Sequence, residues 1–256
     1  MMHNDEGGWS MLENETMSVD LGGVTVAQLP RTWVPPTVYR PQQDSALIAT
    51  ALLHEGVAGR DVLDLCTGSG VLAMTAATLG AARVVAVDIS RAAVLTTRLN
   101  AWRNRLSISV HRGNFDCLPA TESFDIIVSN PPYVPASSAT PGAVGAQRWD
   151  AGDDGRSVLD PLCDRAFDLL RPGGTLLVVQ SEFSGEARTL ERLQDRVFDA
   201  TTVQRTRIPF GPVLSSRRPY LRDRGLCEPN CDEEELIVIR GKKTLKVRHT
   251  GRGKPD

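Results

Sequence analysis

Residues 62–70 read Val-Leu-Asp-Leu-Cys-Thr-Gly-Ser-Gly, and residues 71–79 after them are rich in alanine. This stretch predicts a short buried strand that ends in a glycine turn and continues into a helix. Glycines at such a turn let a ligand approach the backbone, and the start of the helix offers unpaired N–H groups to an anion. We therefore expect the first strand-turn-helix unit of a parallel sheet with a ligand at the turn.

A second buried strand, Arg83–Asp88, ends in an acidic residue eighteen positions after Gly70. A carboxylate there can accept hydrogen bonds from the two hydroxyl groups of a ribose. Two cofactors fit these features. The run Gly68–Ala73 satisfies the G-x-G-x-x-G/A fingerprint of dinucleotide-binding proteins. Asp64, in contrast, supplies a carboxylate that suits the ammonium group of S-adenosylmethionine and would repel a pyrophosphate.

The choice between the two cofactors depends on residues 124–133, Phe-Asp-Ile-Ile-Val-Ser-Asn-Pro-Pro-Tyr. An apolar strand ends at Asn130 and is followed by Pro131, Pro132 and Tyr133. A side-chain amide, an exposed backbone carbonyl and an aromatic ring then share one strand end, as is needed to hold a planar –NH2 group. Taken alone, these letters also suit a strand followed by a Pro-Pro turn. A dehydrogenase has no use for the arrangement, so the combination favours S-adenosylmethionine.

Strand and helix patterns alternate along most of the chain. Seven apolar segments are typical of strands: 62–65, 83–88, 108–111, 124–130, 175–180, 201–208 and 235–239. Helices are predicted at 45–53 with Asp44 as N-cap, at 71–79, from Ser90 to about Arg103, at 158–170 and at 185–196. No convincing helix separates the last two strands, so we expect them to pair antiparallel at the edge. The sequence predicts an α/β, doubly wound, mainly parallel seven-stranded sheet with an antiparallel edge strand.

Composition and charge narrow the class of protein. The chain has 256 residues, 41% of them hydrophobic, and a net charge of −2, which gives no overall attraction to nucleic acid or to an anionic membrane. No apolar run is long enough to span a membrane and no secretory signal is visible, so we expect a cytoplasmic protein. The five cysteines are odd in number and scattered, which predicts free thiols, with a metal or redox pair at Cys227 and Cys231 as the alternative.

The two ends of the chain differ from its centre. Residues 1–23 are polar and are expected to be disordered, with Met17 as an alternative start. A single domain is predicted over 24–240. Residues 241–256 lack periodicity and are expected to form a flexible basic tail.

The motifs Asp-Leu-Cys-Thr-Gly-Ser-Gly, Val-Asp-Ile-Ser and Asn-Pro-Pro-Tyr-Val together resemble those of class I S-adenosylmethionine-dependent methyltransferases, which have a Rossmann-like fold. Among these, the chain is most similar to the HemK/PrmC-like N5-glutamine methyltransferases, over about Val38 to Arg240. The lead-in Val38–Ser45 resembles the short branch typical of eukaryotic and archaeal release-factor methyltransferases. We therefore expect the helical N-terminal domain of the bacterial enzymes to be absent. The resemblance implies a release factor as protein substrate and a small zinc-binding activator subunit as a partner.

The resemblance also implies roles for individual residues. The family usually has Asp where Asn114 stands, although an Asn can still donate to and accept from adenine. The residues implied to bind the cofactor are Asp64, Cys66, Thr67, Gly68, Gly70, Asp88, Ile89, Asn114, Phe115 and Asn130. The residues implied to act in catalysis are Asn130, Pro131, Pro132 and Tyr133. No metal ligands are implied.

The chemistry explains why these residue types are needed. An amide nitrogen is a poor nucleophile because its lone pair is delocalised, so the main task is to hold nitrogen, methyl carbon and sulfur in line. The Asn130 side-chain oxygen and the Pro131 carbonyl would accept the two N–H bonds, and Tyr133 would pack over the flat group. Pro132 stiffens the turn.

The same pocket would hold the exocyclic amine of adenine or guanine with the base flipped out of the helix. The motif thus defines a planar conjugated nitrogen and leaves a nucleic-acid amino-purine methyltransferase as the alternative. Only the tail and Arg217-Arg218 are basic enough to favour it. A non-catalytic cofactor-binding module is the third interpretation. The segments 134–156 and 209–230 are expected to contact the substrate, with Arg148, Trp149 and Asp150 as a lip.

Overall fold

A computed structural model describes residues 28–119, 121–137 and 149–244 of the chain. The strands are β1 (Asp61–Leu65), β2 (Arg83–Asp88), β3 (Ser109–Arg112), β4 (Phe124–Ser129), β5 (Leu170–Ser181), β6 (Phe198–Pro209) and β7 (Glu233–Lys243). The helices are α1 (Gln43–Glu55), α2 (Val71–Thr78), α3 (Arg91–Arg103), α4 (Leu159–Leu169), α5 (Glu186–Asp195) and α6 (Pro212–Asp223). Among the described helices none is long and apolar enough to cross a membrane.

All seven strands form one sheet in the order β3-β2-β1-β4-β5-β7-β6. β1 to β5 run parallel, and Val62 of β1 pairs with Val84 of β2 on one side and with Ile126 of β4 on the other. The strand order reverses between β1 and β4, which is where open α/β sheets bind their ligands. β7 is antiparallel to both β5 and β6. The expected antiparallel pair is confirmed, with β7 one position in from the edge and β6 at the edge itself.

The core lies on both faces of this sheet because successive strand residues point to opposite sides. Val62, Ile126 and Val128 pack with α1 and α2, whereas Leu63 and Ile127 pack with α4 and α5. The largest buried side chains are at most 2% exposed. The prediction of a doubly wound α/β fold is therefore confirmed, and both faces hold the strand ends rigidly in place.

Two sequence predictions about helices are wrong. Helix α1 begins at Gln43 with Gln42 as its N-cap, so Asp44 lies inside the first turn, where its side chain is buried. Helix α6 separates β6 from β7, where no helix was expected. Its polar sequence buries only Leu214 and Leu221, and Pro219 lies inside it, so the apolar period of a helix is not visible.

The chain ends also need correction. Residues 241–243 belong to β7 rather than to a tail, and Lys243 donates to the carbonyl oxygens of Phe167 and Leu170. The predicted disordered segment 1–23, the alternative start Met17 and the rest of the basic tail lie outside the described residues.

Candidate active site

A cavity of about 870 Å³ opens at the carboxyl ends of β1, β2 and β4. It is at the large end of the range for small-molecule sites, so it has room for a cofactor and a substrate side chain together. Most of the predicted site residues line it: Cys66, Thr67, Gly68, Asp88, Ile89, Asn114, Phe115, Asn130, Pro131, Pro132 and Tyr133. Asp64 and Gly70 do not.

The glycine turn after β1 is held by the turn after β2. The Gly68 N–H donates to Asp88 Oδ2 at 2.9 Å, and the Ser90 N–H donates to Asp88 Oδ1 at 2.8 Å. Gly70 has a left-handed φ of 83°, and a Cβ at this position would lie 2.7 Å from Thr97 Cγ2. Backbone hydrogen bonds and close packing therefore fix this side of the cavity before any ligand arrives.

Asp64 does not reach the cavity wall. Its carboxyl group is fully buried on the α2 side of β1, where Oδ2 accepts from Thr67 Oγ1 at 2.6 Å and from the Ala73 N–H at 3.0 Å. Burial raises its pKa to about 7. The strand alternation thus turns Asp64 toward the helix, where its bonds to Thr67 and Ala73 fix the glycine turn. Its contact with the methionine end of a cofactor stays a prediction.

The remaining cofactor residues meet at the end of β2 and the loop after β3. Burial raises the pKa of Asp88, whose oxygens both face backbone donors. Ile89 is apolar yet 63% exposed beside it, and Phe115 packs partly against the core. Asn114 uses its Oδ1 within the loop, where it accepts from the Asp116 N–H at 3.1 Å. These residues fit S-adenosylmethionine: a glycine turn whose backbone lines the cavity, a carboxyl group for the ribose hydroxyls, and an exposed apolar surface for adenine.

Asn130 is oriented by Ser45 of helix α1. Its Nδ2 donates to Ser45 Oγ at 3.4 Å, which leaves its Oδ1 as an acceptor toward a ligand. Ser129 Oγ donates to the Leu65 carbonyl at 2.7 Å and so ties the end of β4 to β1. The amide group is consequently presented beside the glycine turn, at the strand reversal.

Asp44 organises this side of the site, and sequence reasoning missed it. Its Oδ2 accepts from Tyr39 at 2.6 Å and from Tyr133 at 3.1 Å, and its Oδ1 accepts from Ser45 Oγ at 3.1 Å. Burial, and then the charge of Asp44, raises the pKa of both tyrosines well above the usual range. One carboxylate therefore positions Tyr133 directly and Asn130 through Ser45. The sequence offers no signal for a contact between residues so far apart in the chain.

Glu234 is a second carboxyl group that sequence reasoning missed. It lies at the start of β7, lines the cavity and is 6% exposed. Its Oε2 has no hydrogen-bond partner among the described residues. Burial raises its pKa to about 7, and the charges of Asp44 and Glu182 act in the same direction.

The predicted lip lies at the mouth of the cavity. The Val134 N–H donates to the Trp149 carbonyl at 2.8 Å, and Asp150 forms an ion pair of 2.9 Å with Arg217 of α6. Trp149 and Asp150 both line the cavity, while Arg148 lies outside the described residues. The lip is therefore connected to α6, the helix that the sequence did not reveal.

The five cysteines, which all lie within the described residues, are free thiols. The described part of the chain contains no group of three His, Cys, Asp or Glu side chains that could hold a metal ion. Cys227 and Cys231 instead pack against the apolar cluster beside α6.

Comparison with known proteins places this geometry in a family. The family model described as ribosomal protein L11 methyltransferase (PrmA) matches residues 47–131, which run from α1 to Pro131. A protein of Methanocaldococcus jannaschii, provisionally named a protein N5-glutamine methyltransferase, is 33% identical over 181 residues, or 70% of this chain and 90% of that protein. The chain belongs to the protein N5-glutamine methyltransferase family.

Other members of this family are longer. A release factor glutamine methyltransferase of Gloeobacter violaceus is 36% identical over 174 residues, 64% of this chain and 60% of that protein, so the chain spans about three fifths of this relative. Among solved structures, the E. cuniculi Mtq2–Trm112 complex, described as responsible for methylation of the eRF1 translation termination factor, superposes with a TM-score of 0.56. The match is 24% identical and covers 81% of this chain and 99% of that chain. The fold is that of the class I methyltransferases.

Proposed function

We propose that this protein transfers the methyl group of S-adenosylmethionine to the side-chain amide nitrogen of a glutamine in a peptide-chain release factor. The observation that carries the proposal is the orientation of Asn130. Its Nδ2 is engaged by Ser45 at 3.4 Å, so its oxygen is available to accept an N–H bond beside the cofactor turn. Family membership and the names of the relatives support glutamine as the target.

S-adenosylmethionine supplies an activated sulfonium methyl group, which an amide nitrogen can attack when the two are held in line. The residues that would hold this cofactor are Gly68, Asp88, Ile89 and Phe115. Asp64, which does not line the cavity, would fix the conformation of the glycine turn. These residues bring the cofactor to the same sheet edge as Asn130, within one cavity.

The chain's own groups then orient the target. Asn130 Oδ1 and the Pro131 carbonyl accept the two N–H bonds of the amide, which aims the nitrogen and favours the positive charge that develops on it. Tyr133 lies against the flat amide, and its hydroxyl is fixed by Asp44 at 3.1 Å. The proton on nitrogen becomes acidic once the methyl group is attached, so no base is needed before transfer.

The proposal includes a second partner, a small activator subunit. Helix α3 exposes Leu95, Leu99 and Trp102 at 64%, 37% and 75%, and their spacing puts them on one face. Helix α3 lies against β3, which forms the open edge of the sheet. An apolar face beside the open side of an edge strand suits a protein partner. Co-expression with a candidate subunit would test this assignment. We expect Trp102→Asp to lose binding of the subunit and the control Arg103→Asp to keep it.

The experiment that tests the proposed function uses labelled methyl transfer. The substrates are a release factor with its Gly-Gly-Gln loop, the same factor with Ala in place of that Gln, DNA and ribosomal RNA. The proposal predicts label on the glutamine factor alone. Label on nucleic acid with none on the protein would instead assign the site to the amino-purine methyltransferases, in which a flipped base enters the pocket.

A further inference from the structure

Glu234 lies near the carboxyl ends of the parallel strands, where it lines the cavity. β7 runs antiparallel to β5, so its first residues share an edge with the last residues of the parallel strands, Ser181 among them. Glu234 pairs in register with Ile208 of β6, and both line the cavity that holds Asn130 and Tyr133. The side chain is therefore part of the wall on the substrate side.

Only one of the two carboxyl oxygens of Glu234 has a hydrogen-bond partner among the described residues. The Ser181 hydroxyl donates to one of its oxygens. The other, Oε2, has no partner among the described residues although the residue is only 6% exposed. Tyr39 and Tyr133, whose hydroxyls lie nearby, donate to Asp44 instead. Burying a polar atom without a hydrogen-bond partner costs folding free energy, so we expect Oε2 to form a hydrogen bond with a ligand atom.

The surroundings decide which form of the carboxyl group is present. The charged groups that act on Glu234 are Asp44 of α1 and Glu182 of the turn after β5, and both are negative. Burial also disfavours the charged form. Their joint effect is a pKa of about 7, so about half of the molecules carry a proton on this group at pH 7. With one oxygen accepting from Ser181, Oε2 is the atom that can carry this proton.

We propose that protonated Glu234 donates a hydrogen bond through Oε2 to the carbonyl oxygen of the target amide, and so selects a primary amide over an aliphatic amine. The inference rests on the proposed function, since it assigns a further contact at the same site. A primary amide has two N–H donors and one carbonyl acceptor. Asn130 and Pro131 provide the two acceptors, and Glu234 provides the donor. An aliphatic amine has no carbonyl and would leave the buried proton unpaired, which is how polar sites reject such analogues.

The contact is made in the bound ground state, so it acts on substrate affinity more than on the chemical step. Removing it should raise KM and leave kcat almost unchanged. Ionisation of Glu234 should have the same effect, because the carboxylate would face the amide oxygen without a proton.

The test measures binding of a Gly-Gly-Gln loop peptide to protein saturated with S-adenosylhomocysteine, by calorimetry between pH 6 and 8.5. Wild-type affinity should fall by up to about thirtyfold over this range, the change in the protonated fraction for a pKa of about 7. In Glu234→Gln the side chain donates at every pH, so affinity should stay high and constant. In Glu234→Ala it should be low and constant. Glu233→Gln, exposed on the same strand, is the matched control and should behave like the wild type.

The proposal fails if wild-type affinity does not change with pH, if it rises with pH, or if Glu234→Gln binds as weakly as Glu234→Ala. Melting temperatures of all variants show whether each is folded. Because the binding assay needs no methyl transfer, it tests the role of Glu234 independently of the proposed function. A wild-type protein that methylates glutamine without this pH dependence refutes the role of Glu234 alone. A protein that binds the peptide with this dependence but methylates only nucleic acid refutes the proposed function.

Discussion

Asp64 and Glu234 are two buried carboxyl groups, one on each side of the cavity, with the same raised pKa of about 7. Each has one oxygen without a partner among the described residues. Asp64 uses its other oxygen for Thr67 and the start of α2, where the helix N-terminus favours negative charge. Glu234 has one hydroxyl donor and negative neighbours. Similar burial thus serves different ends: Asp64 fixes the glycine turn, whereas Glu234 is proposed to bind a ligand.

The difference extends to the two sides as a whole. The cofactor side is closed by bonds between neighbouring strand ends, such as that from the Gly68 N–H to Asp88 at 2.9 Å, across 20 residues. The substrate side brings together segments far apart in sequence, as in the contact between Tyr133 and Asp44 across 89 residues. We therefore expect substitutions on the two sides to have different effects. Those on the cofactor side should change stability and cofactor affinity, and those on the substrate side should change turnover.

The largest effect on stability is expected at Gly70. An Ala there would need a φ of 83° and would place its Cβ 2.7 Å from Thr97 Cγ2. We expect Gly70→Ala to lose about 2–4 kcal/mol of unfolding free energy and most cofactor affinity. Gly68→Ala is the control, because its Cβ would be 3.9 Å from Tyr39 and only the left-handed φ is costly, about 1–2 kcal/mol. Chemical denaturation measures both, and equal losses would contradict the packing argument.

The pH dependence of stability tests Asp64. Its pKa is 3.8 in the reference state and about 7 in the fold. Between these values the unfolded chain binds fewer protons than the folded one, so this group makes stability fall as pH rises from about 4 to 7. Asp64→Asn removes the titration. The difference in unfolding free energy between the variant and the wild type should therefore shift in favour of the variant by about 2–4 kcal/mol from pH 4 to pH 8. An unchanged difference at both pH values would show that Asp64 is not held in the protonated range.

Asp44→Asn disturbs the substrate side alone. The variant loses the charge that accepts from Tyr39 and Tyr133, and a hydrogen bond to a charged group contributes about 1.5–3 kcal/mol. We expect turnover to fall about ten- to a hundredfold, while affinity for S-adenosylhomocysteine changes less than about threefold. Calorimetry and initial rates on one preparation give both values. If cofactor affinity fell as far as turnover, the two sides would not be separable.

The smallest effect is expected at the lip. Arg217 pairs with Asp150 at 2.9 Å, and both side chains are 18% exposed. Partly exposed pairs contribute about 0–1 kcal/mol, so Arg217→Ala should raise KM for a release factor by about two- to fivefold. Arg222→Ala, on the same helix and half-exposed, should change nothing. A large loss of cofactor affinity in Arg217→Ala would contradict the placement of the lip on the substrate side.

The sequence predicted the seven strands well because strands depend on local patterns, and most of the residues assigned to the cofactor line the cavity. Asp88 accepts from Ser90, two residues further along, and from Gly68 at the end of the neighbouring strand. α6 was missed because Pro219 and its arginines hide the apolar period. Asp44 was misread as an N-cap and Glu234 was not noticed, since their roles arise from contacts between distant segments. The orientation of Asp64 toward α2 was not foreseen either, and its assignment to the cofactor stays a prediction.

The most direct test compares two asparagines that line the same cavity, Asn130 and Asn114. For Asn130→Ala, we expect cofactor affinity within about threefold of the wild type and methyl transfer to the release factor reduced by at least about a hundredfold. For Asn114→Ala, we expect weaker cofactor binding with turnover at saturation unchanged. Turnover of Asn130→Ala within about tenfold, roughly 1.4 kcal/mol of barrier, would contradict the central claim that Asn130 holds the target nitrogen.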